Sequence, residues 1–178
     1  MPDKPTIAVF GSGACSPGEP LWETAFDVGR QIAQAGWRLI NGGYGGTMEA
    51  SAKGASEAGG GVWGVTCEVF GRAGANRYIK KVVDTKELKE RLFTLVELAD
   101  AFIILPGSTG TLLELASVWE YNNKSLFEKN KPVILLGDYW RTVVDFVCSE
   151  SPQTGTALLG ASNPAQAVKL LIDSGIKT

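Results

Sequence analysis

The sequence predicts one α/β domain, residues 1–178, built on a doubly wound, largely parallel sheet. Three observations carry that expectation. Short, continuously apolar runs, which read as strands buried on both faces, alternate with segments of helical periodicity. Two of the runs, ending at Ile40 and Leu105, are followed by glycine-rich turns that open helices, and such turns collect at the carboxyl edge of a parallel sheet. No linker, internal repeat or low-complexity tract divides the chain, and 178 residues suffice for one full core. The combination is Rossmann-like.

Thr6-Ile7-Ala8-Val9-Phe10 is the first strand. Gly11-Ser12-Gly13 after it begins a dinucleotide fingerprint, but no GxGxxG completes it and Pro17 interrupts the helix start. A helix from Pro20 to Ala35 follows, with Leu21, Ala25, Val28 and Ile32 on one face and Gly36 as its stop. Trp37–Ile40 is the second strand, and Asn41-Gly42-Gly43-Tyr44-Gly45-Gly46-Thr47-Met48 leads into a helix over Glu49–Ala58. The third strand is Val62–Thr66. Gly71–Arg77 reads as a polar loop in which Arg72 and Arg77 are either plain surface or partners for a phosphate. Lys80–Val83 is a short strand before a helix over Thr85–Leu98, whose apolar stripe is Leu88, Leu92, Leu95, Val96 and Ala99. Arg91 lies at the edge of that stripe, where helical spacing equally allows an i,i+4 pairing with Glu87 on a solvated face.

Ala101–Leu105 is the central buried strand, and Pro106-Gly107-Ser108-Thr109-Gly110 breaks it before a helix begins near Thr111. A glycine-rich turn at that place offers unpaired backbone N–H groups to an anion, usually phosphate. Thr111 can cap the helix or give its hydroxyl to the same oxygen. Glu114 reads either as a capping-box partner of Thr111 or as a carboxylate set to act on whatever the anion anchors. Leu112, Leu115, Ala116 and Trp119 are expected to face the sheet. A second face with Leu113, Ser117, Val118 and Tyr121 is expected to meet another copy, giving a homodimer or higher homo-oligomer. A strand over Pro132–Leu136 and helices near Tyr139–Ser149 and Pro164–Ser174 complete the chain.

Composition narrows the function. The formal charge of −2 argues against nucleic acid as a general partner. Met1-Pro2-Asp3-Lys4-Pro5 reads as no signal peptide, no apolar run approaches membrane-spanning length, and the expected location is the cytoplasm. Cys15, Cys67 and Cys148 form no CxxC pair, as suits a reducing compartment; Cys148 is expected in a core helix and Cys15 in an exposed loop. The chain contains no histidine, which removes Ser-His-Asp and Cys-His nucleophiles and every histidine-containing zinc site. Chemistry must therefore rest on carboxylates, Arg, Lys, Tyr, Ser, Thr or Cys.

The stretch Pro106-Gly107-Ser108-Thr109-Gly110-Thr111-Leu112-Leu113-Glu114 resembles the PGGxGTxxE signature of the LOG-like proteins, phosphoribohydrolases of the cytokinin riboside 5′-monophosphate type that are often mislabelled lysine decarboxylases. Ser108 stands where the second glycine would be. The resemblance runs from about Ile7 to the last helix. It implies that Gly42, Gly43, Gly45, Gly46, Thr47 and Met48, which match the family's GG-x-x-G-x-M turn, cradle a ligand, and that Gly11, Ser12 and Cys15 contact it. Pro106, Gly107, Ser108, Thr109, Gly110 and Thr111 would hold the phosphate. Arg91 occupies the family's interval before Asp100, so the resemblance makes Arg91 and Glu114 the catalytic pair; Leu92 replaces the lysine that commonly follows that arginine.

The implied reaction is hydrolysis of the N-glycosidic bond of AMP or N6-substituted AMP to free base and ribose 5-phosphate, with no metal or organic cofactor required. A carboxylate suits the oxocarbenium character of that reaction, and arginine is too basic to act as its general acid. The decarboxylase label would need pyridoxal phosphate on a lysine, and only Lys53 stands near a glycine turn. Molybdenum-cofactor carrier proteins are similar too, so a carrier of that cofactor, or a nucleotide sensor without catalysis, is the alternative reading.

Overall fold

The computed structural model describes residues 4–178; Met1–Asp3, at the start of the segment read above as no signal peptide, lie outside the described residues. Strands β1 (Thr6–Phe10), β2 (Arg38–Asn41), β3 (Gly61–Cys67), β4 (Lys81–Thr85), β5 (Ala101–Ile104), β6 (Val133–Leu136) and β7 (Leu158–Ala161) form one sheet in the order β4-β3-β2-β1-β5-β6-β7. Every pairing is parallel. Helices α1 (Pro20–Gln34), α2 (Thr47–Glu57), α3 (Leu88–Leu98), α4 (Thr109–Asn123), α5 (Arg141–Glu150) and α6 (Pro164–Asp173) alternate with the strands. The chain winds outward from β1 to β4, then returns to lay β5 against β1 on its other side. The topological switch therefore falls between β1 and β5, where doubly wound sheets open a crevice for ligands.

Strand periodicity explains the two layers. Ile7 and Val9 of β1 point into a core with α1, α2 and α6, whereas Ala8 and Phe10 point into a core with α3, α4 and Trp140. Helices α1 and α2 of the first layer approach closely because they meet at glycines: a Cβ on Gly29 would lie 1.9 Å from the Ser51 carbonyl oxygen, and one on Gly54 2.0 Å from that of Phe26. Among the described residues, no helix is long and apolar enough to cross a membrane.

Several expectations change. Helix α4 begins at Thr109, with Ser108 at the N-cap and no side-chain cap bond, so Thr111 sits inside the first turn and the capping-box reading of Glu114 falls away. Its buried face is Thr111, Leu115, Val118, Trp119 and Asn122, while Leu112 and Ala116 are exposed. Val118 is 0% exposed and belongs to the core, not to a surface awaiting another copy. Apolar residues sit all round this helix, so periodicity has little on which to select its buried face. Helix α3 starts at Leu88, not Thr85, because Thr85 closes β4 with its hydroxyl on the Thr66 carbonyl; Leu88 is exposed. Cys148 is half-buried on α5, which has no buried residue, and Cys67 is the buried cysteine. Strand β7, Leu-Leu-Gly-Ala at the sheet edge, went unread because four residues with a glycine carry little pattern.

Candidate functional site

The turns after β1, β2 and β5 meet on one residue. Ser12 donates its backbone N–H to the Pro106 carbonyl at 3.0 Å, and its own carbonyl accepts from the Thr47 N–H at 2.8 Å and the Thr47 hydroxyl at 3.0 Å. Gly46, at φ 65°, is the N-cap of α2, and a Cβ there would lie 2.4 Å from the Ser12 carbonyl oxygen, so only glycine allows this approach. Asn41 closes the same turn: its Nδ2 donates to the Met48 carbonyl at 2.8 Å and its Oδ1 accepts from the Gly43 N–H at 2.9 Å.

In the turn after β5, three consecutive carbonyls are engaged. Leu105 accepts from Trp140 Nε1 at 3.0 Å, Pro106 from Ser12, and Gly107 from the Tyr139 hydroxyl at 2.9 Å. With the carbonyls so occupied, the groups left to face a ligand at the start of α4 are the first-turn N–H groups, which have no intrahelical acceptor, at the positive end of the helix dipole. Gly107 packs under Thr111: a Cβ on it would lie 2.1 Å from Thr111 Oγ1. Sequence reasoning did not find Tyr139 or Trp140; two aromatic residues after a strand give no signal of what their polar atoms bind.

These turns open onto a cleft of about 650 Å³, within the range of small-molecule sites. Of the residues expected at the site, Gly11, Ser12, Gly42, Met48, Arg91, Ser108, Thr109, Gly110, Thr111 and Glu114 line it. Cys15, Gly43, Gly45, Gly46, Thr47, Pro106 and Gly107 do not line it; Thr47 and Pro106 bond to Ser12, Gly46 lets the Ser12 carbonyl come close, and Gly43 packs on Thr66 and Gly64. Tyr44, Phe70, Leu88 and Leu113 line the cleft with no sequence signal that marks them as site residues; Arg72, expected either as plain surface or as a phosphate partner, lines it too.

Arg91 is 7% exposed, which the solvated-face alternative with Glu87 did not anticipate; Glu87 pairs with Lys89 instead. Its Nε donates to the Val65 carbonyl at 2.9 Å, and its guanidinium carbon lies 5.6 Å from the Tyr44 ring centre and 5.4 Å from that of Phe70. Gly42 makes room for it: a Cβ there would fall 1.8 Å from Arg91 Nη2. Arg91 Nη1 stands 3.9 Å from Glu114 Oε1. Burial raises the Glu114 carboxyl to about 7, with the Arg91 charge pulling the other way. A carboxyl poised near neutrality beside a fixed cation, close to a turn with free N–H groups, can exchange a proton with water or stabilise positive charge. Among the described residues, no three Cys, Asp or Glu converge to hold a metal ion.

Comparison with known proteins identifies the family of the chain. The family model described as the SLOG cluster4 family matches residues 4–168. A cytokinin riboside 5′-monophosphate phosphoribohydrolase from Rhodococcoides fascians is 32% identical over 151 residues, covering 82% of this chain and 75% of that protein. The solved structure of the molybdenum cofactor binding protein from Rippkaea orientalis superimposes with a TM-score of 0.81 at 26% identity, covering 98% of this chain and 99% of that one. The molybdenum cofactor carrier protein from Chlamydomonas reinhardtii gives a TM-score of 0.75 at 29% identity, covering 96% and 99%.

Proposed function

The chain belongs to the SLOG cluster4 family, and from that premise we propose that it is a phosphoribohydrolase acting on nucleoside 5′-monophosphates. The observation that carries this reading is the Arg91–Glu114 pair, a carboxyl held near pH 7 at 3.9 Å from a buried guanidinium, in the cleft that the α4 N-terminus opens onto. A binding site for a phosphate ester has no need of a carboxyl there; it would add negative charge beside an anion.

The mechanism follows from the parts. The first-turn N–H groups of α4 and the Thr111 hydroxyl hold the 5′-phosphate, and this remote binding positions the ribose. As the C1′–N bond breaks, its electron pair leaves with the base and C1′ becomes positive. Ionised Glu114 stabilises that charge and takes a proton from water as the water oxygen bonds to C1′. The proton that Glu114 has taken then passes by way of solvent to the departing base, giving free base and ribose 5-phosphate and returning Glu114 to its ionised form. Arg91 stays protonated throughout and fixes the carboxylate. These steps call on no metal and no organic cofactor. The same reading includes a homodimer through the exposed Leu112–Leu113 face of α4.

The solved molybdenum-cofactor proteins favour a second reading, in which the same cleft carries a phosphate-bearing pterin without chemistry. Incubation of the purified protein with AMP, other nucleoside monophosphates and N6-substituted AMP, followed by chromatography, separates the two. Released base with an equal amount of ribose 5-phosphate supports hydrolysis; binding without release supports the carrier.

A further inference from the structure

The residues that follow β3 build a wall that the phosphate cradle does not use. Phe70 ends the 3-10 turn Glu68–Phe70, lines the cleft and is 38% exposed. Its ring centre lies 6.0 Å from that of Tyr44, tilted by 53°. The Arg72 guanidinium carbon stands 4.7 Å from the Tyr44 ring centre and 5.9 Å from that of Phe70, and Arg91 approaches the same two rings from inside the fold. All four line the cleft, Tyr44 and Arg91 with little surface, so Phe70 and Arg72 carry the exposed surface of this cluster. A large aromatic ring left exposed on a cleft wall with a guanidinium over it is a stacking platform for a planar heteroaromatic ring.

The sheet order fixes which part of a ligand meets that wall. The anion-binding turn follows β5, and β3 lies three strands away across β1 and β2. At roughly 4.8 Å per strand the two ends of the cleft are about 14 Å apart along the sheet edge. The Arg91–Glu114 pair bridges them, since Arg91 is bonded to Val65 on β3 and Glu114 rises from α4. A molecule anchored by phosphate at α4, with its scissile bond at Glu114, extends its remaining end toward Phe70 and Arg72.

We infer that Phe70 and Arg72 form the subsite for the planar base of the nucleotide, stacking it at the β3 end while the phosphate stays at the α4 N-terminus. This rests on the reading that the α4 turn holds the phosphate. The Gly11–Cys15 and Gly42–Met48 turns then serve the phosphate and sugar, and discrimination among bases falls to a segment outside the family's glycine motifs.

The test compares AMP with ribose 5-phosphate, which lacks only the base. Binding is measured by calorimetry on the full chain carrying Glu114→Gln, so that AMP is not consumed. Adding Phe70→Ala or Arg72→Ala is expected to weaken AMP about tenfold and leave ribose 5-phosphate unchanged, and Phe70→Trp is expected to keep AMP affinity. Equal loss for both ligands, no loss for AMP, or equal affinity of the parent protein for both ligands overturns the subsite. A protein that binds AMP in a Phe70-dependent way but releases no base sinks the hydrolase reading and leaves the subsite standing.

Discussion

Glu114 Oε1 on α4 stands 3.9 Å from Arg91 Nη1 on α3, with side-chain exposures of 14% and 9%. The pair is close enough to couple electrically and too far for a direct hydrogen bond. Burial outweighs the arginine: the carboxyl sits at about 7, above its ordinary 4.5. The ionised form is thus held at a cost in stability and is available where the chemistry needs it.

Replacing Glu114 by Gln keeps the shape and removes the charge. Turnover of AMP is expected to fall about a hundredfold or more, mainly in kcat. In the unsubstituted protein kcat/KM is expected to rise with pH through about 7, because the carboxylate is the active form. Stability runs the other way. A carboxyl whose folded pKa is raised favours the folded state while protonated, so that advantage, complete below about 4.5, is lost as pH rises through about 7. Glu114→Gln should therefore melt like the parent near pH 4 and higher than it at pH 8, by about 3 kcal/mol at most. Thermal melts at the two pH values, with a pH–rate profile, check this; a parent profile flat from pH 5 to 9 counts against Glu114.

Arg91→Met keeps bulk in the buried position and removes the cation. Since the Arg91 charge lowers the Glu114 pKa, its loss should move the rising limb of the pH profile to higher pH. Turnover at pH 7 falls and partly recovers at pH 9. An unmoved limb would mean that the two groups do not act as a pair.

Gly42→Ala tests the same pair without altering either member. The added Cβ would fall 1.8 Å from Arg91 Nη2 and 2.7 Å from Met48 Sδ, so Arg91 must shift. Expected outcomes are a loss of turnover of about tenfold or more and a destabilisation of about 1–3 kcal/mol, read by kinetics and denaturant unfolding. Wild-type kinetics in this variant would show that the position of Arg91 is immaterial.

How far the sequence discloses this site follows from what kind of signal each part leaves. Apolar runs and two glycine turns made one essential feature readable, a parallel sheet whose strands lead through glycine turns into helices. Arg91 and Glu114 were named by resemblance to a motif, but their burial and separation depend on how α3 and α4 pack across the sheet, which no local pattern encodes. Gly46 and Thr47 look like ligand-binding residues in sequence; in the fold Thr47 bonds the Ser12 carbonyl and Gly46 allows its close approach, because glycine's tolerance for close approach serves loop packing as well as ligands. Tyr44, Phe70 and Arg72 come from two separate segments and meet only in three dimensions.

Thr111→Val removes a hydroxyl from a nearly isosteric side chain in the first turn of α4, a residue 3% exposed that lines the cleft. One phosphate hydrogen bond of about 1–3 kcal/mol should be lost. KM for AMP is expected to rise by about tenfold or more with kcat little changed. Adenosine, which lacks the phosphate, should be a poor substrate for the parent and no poorer for the variant. A fall in kcat at constant KM would move Thr111 from binding to the chemical step.

The proposed homodimer can be tested apart from the fold with two residues on one helix. Val118 is 0% exposed and sits in the core with Leu115 and Phe10, whereas Leu113 is 42% exposed and neighbours the exposed Leu112. A charge at Val118 would be buried without a partner, at a cost of several kcal/mol, so Val118→Asp should unfold the chain itself. Leu113→Glu places its charge in water in a monomer and in an apolar contact in a dimer. Sedimentation velocity at micromolar concentration should show the parent as a dimer and Leu113→Glu shifted toward monomer, with the melting temperature of the isolated fold preserved. A parent that sediments as monomer throughout removes the dimer from the proposal. Because Leu113 also lines the cleft, AMP kinetics of the variant should be followed over a dilution series. A loss of activity that tracks dissociation in the parent as well as in the variant would tie the cleft to the assembled state.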